Sequence, residues 1–387
     1  MTLDSKSQQR APQLPLAGLT ALDLTVARAG PVCVRHLADW GADVIRVVAP
    51  GAATQELIGQ RRGSDYQNLH RNKRTVAIDL KTAAGHAALI ALVRRADVFV
   101  ENMRVGVKHR LKIGWDDLRE VNPRLVYGSI SGFGQTGPYA ERAGVDQIAQ
   151  GMGGLMSITG EPGRGPMRAG IAVTDLTAGN LLALAIMMAL YERQRTGAGR
   201  WVHTSLLESQ IFMLDFQAAR FLMDGEVPAQ VGNAHPTMVP MGAYPTRDGQ
   251  VNIAASSLQQ WKRFCEVLER GEWLDNPAWA SSTDRGRDRA NIDAAIAERT
   301  RLQPSAYWVE RLEQAGIPCG PIYRVDEVFA DPQVQHLELA APVDHPERGK
   351  THLVASPINF AGTEKRIRST AATEVSAVEE VDLGEWG

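Results

Sequence analysis

Residues 21–48 decide the fold class: Ala21-Leu22-Asp23-Leu24-Thr25-Val26-Ala27-Arg28-Ala29-Gly30-Pro31-Val32-Cys33-Val34-Arg35-His36-Leu37-Ala38-Asp39-Trp40-Gly41-Ala42-Asp43-Val44-Ile45-Arg46-Val47-Val48. The apolar run Ala21–Leu24 reads as a strand. Pro31–Trp40 reads as a helix, with Pro31 at a tolerated first-turn position. Val44–Val48 reads as the next strand. A strand, a helix and a second strand in such a short span predict a parallel sheet with helices on its faces, an α/β fold.

The same alternation continues outward. Val76–Leu80 predicts a strand, about Ala83–Arg95 a helix, and Val98–Val100 and Leu125–Ile130 two more strands. Residues 131–170 are rich in Gly and Pro, which predicts loops and close backbone approaches. A long helix is expected over about Leu176–Arg195, ended by Thr196-Gly197. Val202–Gln217 fits a strand or a helix. From about residue 225 the pattern changes to a smaller α+β domain. It has a short strand at Val251–Ala254 after the turn Arg247-Asp248-Gly249, and helical segments near 259–269, 290–300 and 304–315. A last strand is expected at Thr351–Ala355, ahead of a polar tail.

Composition narrows the function classes. The 387 residues are 44% apolar and 22% charged, and 42 basic against 44 acidic side chains leave a formal charge of -2. That balance offers no electrostatic case for nucleic acid or an anionic membrane. Cys33, Cys265 and Cys319 are scattered and odd in number, which fits a reduced cytoplasmic setting. Met1–Gln13 lacks the apolar core of a signal peptide. The longest apolar run, Leu181–Leu190, falls short of the roughly 20 residues that span a bilayer. The expectation is a soluble cytoplasmic protein with no membrane or nucleic-acid partner.

Several chemistries lack their motifs. No GxGxxG follows the first strand; one match, Gly132–Gly137, runs directly into Pro138 and opens no helical pattern. No GxxxxGK[ST], HExxH or GxSxG is present, and the nine histidines are dispersed, so no metal is expected. The candidate that remains is Asp175, where the apolar run Gly170-Ile171-Ala172-Val173-Thr174 meets the long helix. Beside a helix N-cap, exposed N–H groups and the positive dipole end favour an ionised carboxylate. Such a carboxylate can attack an activated acyl group and form a mixed anhydride. The local pattern equally fits a simple helix cap. Small residues at Ala178 and Gly179 would let a ligand or a partner backbone approach.

A set of blocks, taken in order, resembles the class III CoA-transferase family of formyl-CoA:oxalate, carnitine and hydroxymethylglutarate CoA-transferases. They are Ala17-Gly18-Leu19, Asp23-Leu24-Thr25, Ala29-Gly30-Pro31, Trp40–Ile45, Asn72–Lys81, Asp97–Asn102, Gly132–Pro138, Arg142-Ala143-Gly144, Gly153–Met156, Thr174-Asp175 and Gly316–Pro321. They run over about residues 16–360. The resemblance implies a Rossmann-like large domain made of both chain ends, a small domain, two linkers, and a homodimer of interlocked rings. The implied boundaries are a disordered leader over 1–15, the large CoA-binding domain over 16–205 and 340–387, linkers over 206–224 and 331–339, and the small domain over 225–330.

The resemblance also implies the chemistry. Asp175 is the family's nucleophile. CoA moves from an acyl-CoA donor, with succinyl-CoA the expected one, to a small carboxylic or dicarboxylic acid, through an aspartyl anhydride and an aspartyl-CoA thioester. CoA and acyl-CoA are substrates, and no tightly bound cofactor is implied. Carried over by position, CoA contacts fall on Val26, Ala27, Arg28, Ile78, Asp79, Leu80, Lys81, Asn102, Met103, Arg104 and Arg110. Asp146 is placed beside Asp175, and His235, in Gly232–Pro236, towards the acceptor. Two departures stand out. Ala254–Trp261 holds no polyglycine lid, and Val48-Ala49-Pro50 replaces a commonly acidic position. The related 2-methylacyl-CoA racemases need a histidine after the Ala-Gly pair, where this chain has Val145. That racemase reading and a CoA-binding protein without turnover are the alternatives.

Overall fold

All five residues of the first strand, β1 (Thr20–Leu24), are buried, as a strand covered by helices on both faces must be. Successive side chains feed opposite cores. Ala21 joins Val34, Leu37 and Leu182, while Leu22 joins Ile45, Phe99 and Leu118. The chain passes through the helix Ala29–Asp39 into β2 (Asp43–Val48), so the strand–helix–strand reading of residues 21–48 holds. The structure, a computed structural model, describes residues 14–51 and 60–377. Most of the expected leader, residues 1–13, lies outside them.

The remaining strands of this sheet are β3 (Arg74–Ala77), β4 (Val98–Glu101), β5 (Val126–Ser131) and β6 (Trp201–Ser205). They lie in the order β3-β2-β1-β4-β5-β6, all parallel, with a two-residue edge strand Ser376–Ala377 beside β3. This is the Rossmann strand order. Its reversal point, between β1 and β4, is where such sheets open a crevice at the carboxyl ends of the strands.

The long helix spans Val173–Thr196 and closes on Gly197 in the left-handed conformation. It packs on the helix Ala29–Asp39 and on β5 and β6. Gly179 permits this: a Cβ there would stand 2.5 Å from the Ala29 carbonyl oxygen. The close neighbour at Ala178 and Gly179 is therefore the protein's own first helix, not a ligand. By length and composition, with a mean hydropathy of 1.7 over its most apolar window, the long helix could cross a membrane. The run Leu181–Leu190 understated this because the helix continues at both ends. Its Ala178, Leu182, Ile186 and Ala189 face belongs to the sheet's core.

The ambiguous 202–217 stretch is both elements, β6 followed by the helix Leu206–Met213, which Ser205 caps. Residues 131–170 are less irregular than expected, since Asp146–Met152 is a helix.

The chain divides into two compact units: Met1–Leu155 with Arg168–Glu226 and Gln333–Gly387, and Met156–Met167 with Val227–Pro332. Residues 206–224, read as a linker, are mostly helix and belong to the first unit. In the second unit Met241–Pro245, Gln250–Ala254 and Cys319–Pro321 form an antiparallel sheet. The helices Leu258–Val267, Arg289–Thr300 and Ser305–Gln314 supply Trp261, Phe264, Ile292, Ile296 and Trp308 to its core.

Candidate active site

The crevice at the ends of β1 and β4 is shaped by two buried acids. Asp23 ends its strand by turning back on Thr25, accepting from the Thr25 N–H at 3.0 Å and its hydroxyl at 2.5 Å. Asn102, just past β4, reaches across to Val26. Its Oδ1 accepts the Val26 N–H at 2.9 Å and its Nδ2 donates to the Val26 carbonyl at 2.8 Å. Between these two holds Ala27 is kept at φ 57°, a left-handed conformation that costs a residue with a Cβ about 1–2 kcal/mol. The Glu101 carboxylate accepts the Met103 N–H at 2.8 Å and sets the turn opposite.

Two cavities meet at this turn, sharing Val26, Ala27 and Met103. One, about 430 Å³, is lined by Arg46, Val48, Ala49 and the run Ile78–Lys81. The other, about 320 Å³, is lined by Arg28, Asn102, Arg104, Ser131, Gly132, Arg142–Val145 and Asp175. Its wall is thin where the loop after β5 passes residue 144. A Cβ on Gly132 would lie 2.6 Å from the Gly144 Cα, so only glycine fits there.

Asp175 is the third residue of the long helix, whose N-cap is Ala172; it is not the cap. Capping comes instead from Asp146, whose Oδ1 accepts the Thr174 N–H at 3.0 Å. The other Asp146 oxygen takes Gln150 Nε2 at 2.7 Å and the Arg168 guanidinium at 3.2 Å. The helix end does not lower the Asp175 pKa as its dipole alone would. Burial and then the Asp146 charge push it up to about 6, against the lowering influence of Arg28. Asp175 is thus a half-buried carboxylate that lines a cavity and does not itself cap the helix.

The other sequence candidates divide plainly. Val26–Arg28 and Asn102–Arg104 line the Asp175 cavity, and Ile78–Lys81 line its neighbour. The Asn102 side chain bonds both backbone groups of Val26 and so shapes the turn. Arg110 is exposed and lines neither cavity, because it stands at the far end of the helix Val105–Arg110. Asp146 is buried, lines neither cavity, and acts on Asp175 by its charge. His235 lies in the second unit, in a cavity of about 610 Å³ with Asn233, Asn252 and Cys319. Its Nδ1 accepts from the Thr237 and Met238 N–H groups, which leaves the neutral ring's proton on Nε2. Burial and then Arg289 lower its pKa, so the neutral ring is the favoured one.

Sequence reasoning missed Arg46 and Arg142. Arg46 was legible as the one charge inside the buried run Val44–Val48, where an ionised side chain needs a reason. Arg142 stacks on the Tyr139 ring at 3.8 Å and reaches the cavity from there. Among the described residues no cluster of His, Cys, Asp and Glu could hold a metal ion.

Comparison with known proteins agrees with this geometry. The family model described as CoA-transferase family III matches residues 16–373. Succinyl-CoA:glutarate CoA-transferase of Homo sapiens is 35% identical over 353 residues, 90% of this chain and 80% of that protein. Succinate–glutarate CoA-transferase of Agrobacterium fabrum is 36% identical, covering 91% of each. The crystal structure of a CAIB/BAIF family protein from Brucella suis superposes with a TM-score of 0.81 at 33% identity, over 93% of this chain and 96% of that one.

Proposed function

Since this chain belongs to CoA-transferase family III and is a CoA-transferase, we propose that it moves CoA from succinyl-CoA to a short dicarboxylate such as glutarate, with Asp175 as the covalent carrier. The observation that carries this is the position of Asp175. It stands in the crevice at the sheet's reversal point, continuous through Val26, Ala27 and Met103 with a cavity whose lining includes the exposed Lys81, a cation suited to a phosphate.

The steps balance without ATP or metal. The Asp175 carboxylate attacks the donor thioester carbon, which expels CoA thiolate and leaves an aspartyl anhydride. The thiolate attacks the Asp175 carbonyl, releasing the donor carboxylate and leaving an aspartyl-CoA thioester. The acceptor carboxylate attacks that carbonyl, expels the thiolate again, and forms a second anhydride. The thiolate then attacks the acceptor's acyl carbon, so acyl-CoA leaves and the Asp175 carboxylate returns. Backbone N–H groups of the walls around Gly132 and Gly144 would steady the developing oxyanions. Water must stay out, because it would hydrolyse either anhydride.

The racemase reading needs a proton carrier at position 145. Val145 lines the Asp175 cavity with a side chain that carries none. We further propose a homodimer, the interlocked one of the family. The first unit exposes Tyr191 on the long helix and Phe212, Leu222 and Met223 beyond it, more apolar surface than a lone chain usually leaves to water.

The test is to incubate the protein with succinyl-CoA, quench with hydroxylamine or borohydride, and map the modification by peptide mass spectrometry. A hydroxamate or reduced side chain at Asp175 is expected. An unmodified Asp175 in a folded protein that binds CoA, across several acyl-CoA donors, would leave binding without turnover as the function. Asn102→Ala, which releases the Val26 turn, is expected to raise the KM for acyl-CoA about tenfold, as the loss of two backbone hydrogen bonds implies. Its kcat should change less. Steady-state kinetics at varied succinyl-CoA reads this, and an unchanged KM would show the turn to be held without it.

A further inference from the structure

We propose that Lys108 is a positioning residue for the transfer, tying together the two walls of the Asp175 cavity without touching it. Lys108 sits in the helix Val105–Arg110 with its side chain only 2% exposed. Its ammonium donates to Glu101 Oε1 at 2.9 Å, Gln135 Oε1 at 2.7 Å and Ser129 Oγ at 3.3 Å. It also lies over the Trp201 and Tyr127 rings, 5.1 and 5.8 Å from their centroids. A buried ammonium is expensive unless it is fully engaged, and this one spends its three protons on three different strands or loops.

Two of those bonds lead to the cavity. Glu101 ends β4, and its second oxygen holds the Met103 N–H, so Lys108 fixes the carboxylate that sets the Asn102–Arg104 wall. Gln135 belongs to the glycine-rich loop that carries Gly132, the opposite wall. The Gln135 Nε2 is buried with no partner among the described residues. The bond from Lys108 is therefore the one that fixes this side chain. Ser129, the third partner, also accepts from Trp201 Nε1 at 2.9 Å and links β5 to β6.

Loops built of Gly132, Gly134 and Gly137 have little stiffness of their own. Their N–H groups can stabilise an oxyanion only if the loop is held from behind. Lys108 supplies that hold. Loosening it should impair the chemical steps at Asp175 more than the binding of CoA, for which the expected contacts Ile78–Lys81 line the other cavity.

The inference rests on the CoA-transferase reading above, and its test separates the two. Exchange of labelled succinate into succinyl-CoA is followed for the wild type, Lys108→Met, Gln135→Leu and the double variant, with trapping at Asp175 run in parallel. Each single variant is expected to lose about tenfold in kcat, the scale of a small misplacement of catalytic groups. The KM for succinyl-CoA should stay within about threefold, and the double variant should be no worse than the poorer single one, since both break the same link. Absence of Asp175 trapping in the wild type would remove the transferase reading itself. With trapping intact, an unchanged kcat in Lys108→Met, or losses that multiply in the double variant, would overturn the role of Lys108. If Lys108→Met does not fold, Gln135→Leu decides alone: a lowered kcat at constant KM supports the tie, and an unchanged kcat removes it.

Discussion

Asp175→Asn is expected to lower succinyl-CoA-dependent transfer by about ten-thousandfold or more, the scale on which loss of a covalent nucleophile is felt. Binding of acyl-CoA should survive, because asparagine fills the same space and the cavity walls are untouched. The same variant should be more stable than the wild type, and the sign follows from the raised pKa. In the folded protein Asp175 titrates at about 6 against an ordinary value of 3.8. Between those values the unfolded chain releases the proton while the native state keeps it, so this group's contribution falls as pH rises and its penalty is complete above about pH 6. Asparagine never ionises and escapes the penalty, which makes the variant more stable by about 2 kcal/mol at pH 7 and equal to the wild type near pH 3, allowing for water in the cavity. The active enzyme should show the complementary profile: kcat/KM rises with pH through about 6 and then levels, as the attacking carboxylate is freed. Urea unfolding at two pH values and a pH–rate profile read both. A profile flat down to pH 4.5 would mean that Asp175 is ionised by something the fold does not show.

That inversion marks where local reading ends. The strands β1, β2, β4 and β5 were legible because burial on both faces makes them apolar almost throughout, and the helix Ala29–Asp39 because its period differs. Asp175 was legible as a candidate, but its environment was not. The dipole argument is local and predicts an ionised carboxylate. The winning influences are burial and Asp146, which stands 29 residues earlier in the chain on another helix. The 202–217 ambiguity had a local answer that was overlooked. Ser205-Leu206-Leu207-Glu208 carries the spacing of a capping box, and Ser205 does accept the Glu208 N–H at 3.1 Å. Arg110 lines neither cavity for a geometric reason. A helix of six residues turns it away from the crevice that Arg104, at its start, still faces. The Lys108 tie had no signal at all, since a lysine between Val107 and His109 reads as surface.

The blocks that carry the family resemblance are far apart in sequence, and two of them meet as an ion pair whose disruption should be the most destabilising single change in the first unit. Asp23, from Asp23-Leu24-Thr25, and Lys73, from Asn72–Lys81, join at 2.8 Å with both side chains 0% exposed. The Lys73 ammonium also donates to the Pro31 carbonyl at 3.2 Å. Burial pushes the Asp23 carboxyl up, but Lys73 and Arg46 outweigh it and hold Asp23 below its usual range. Asp23→Ala would leave the ammonium buried without its counter-ion and should cost about 3–5 kcal/mol, read as a lowered urea midpoint. A loss under about 1 kcal/mol would mean that water reaches Lys73 and that the pair is not the closed unit described. The double variant Asp23→Leu/Lys73→Met separates stability from function. An apolar pair of similar volume should recover most of the lost stability, since the two desolvation penalties disappear together. It cannot recover the Thr25 bonds that Asp23 alone makes. The turn that holds Ala27 at positive φ would stay loose, and the KM for acyl-CoA should remain raised about tenfold while the protein folds normally, because two hydrogen bonds at the cavity's edge are gone. A double variant that is stable and also binds acyl-CoA like the wild type would show that Asn102 alone suffices to hold the crevice.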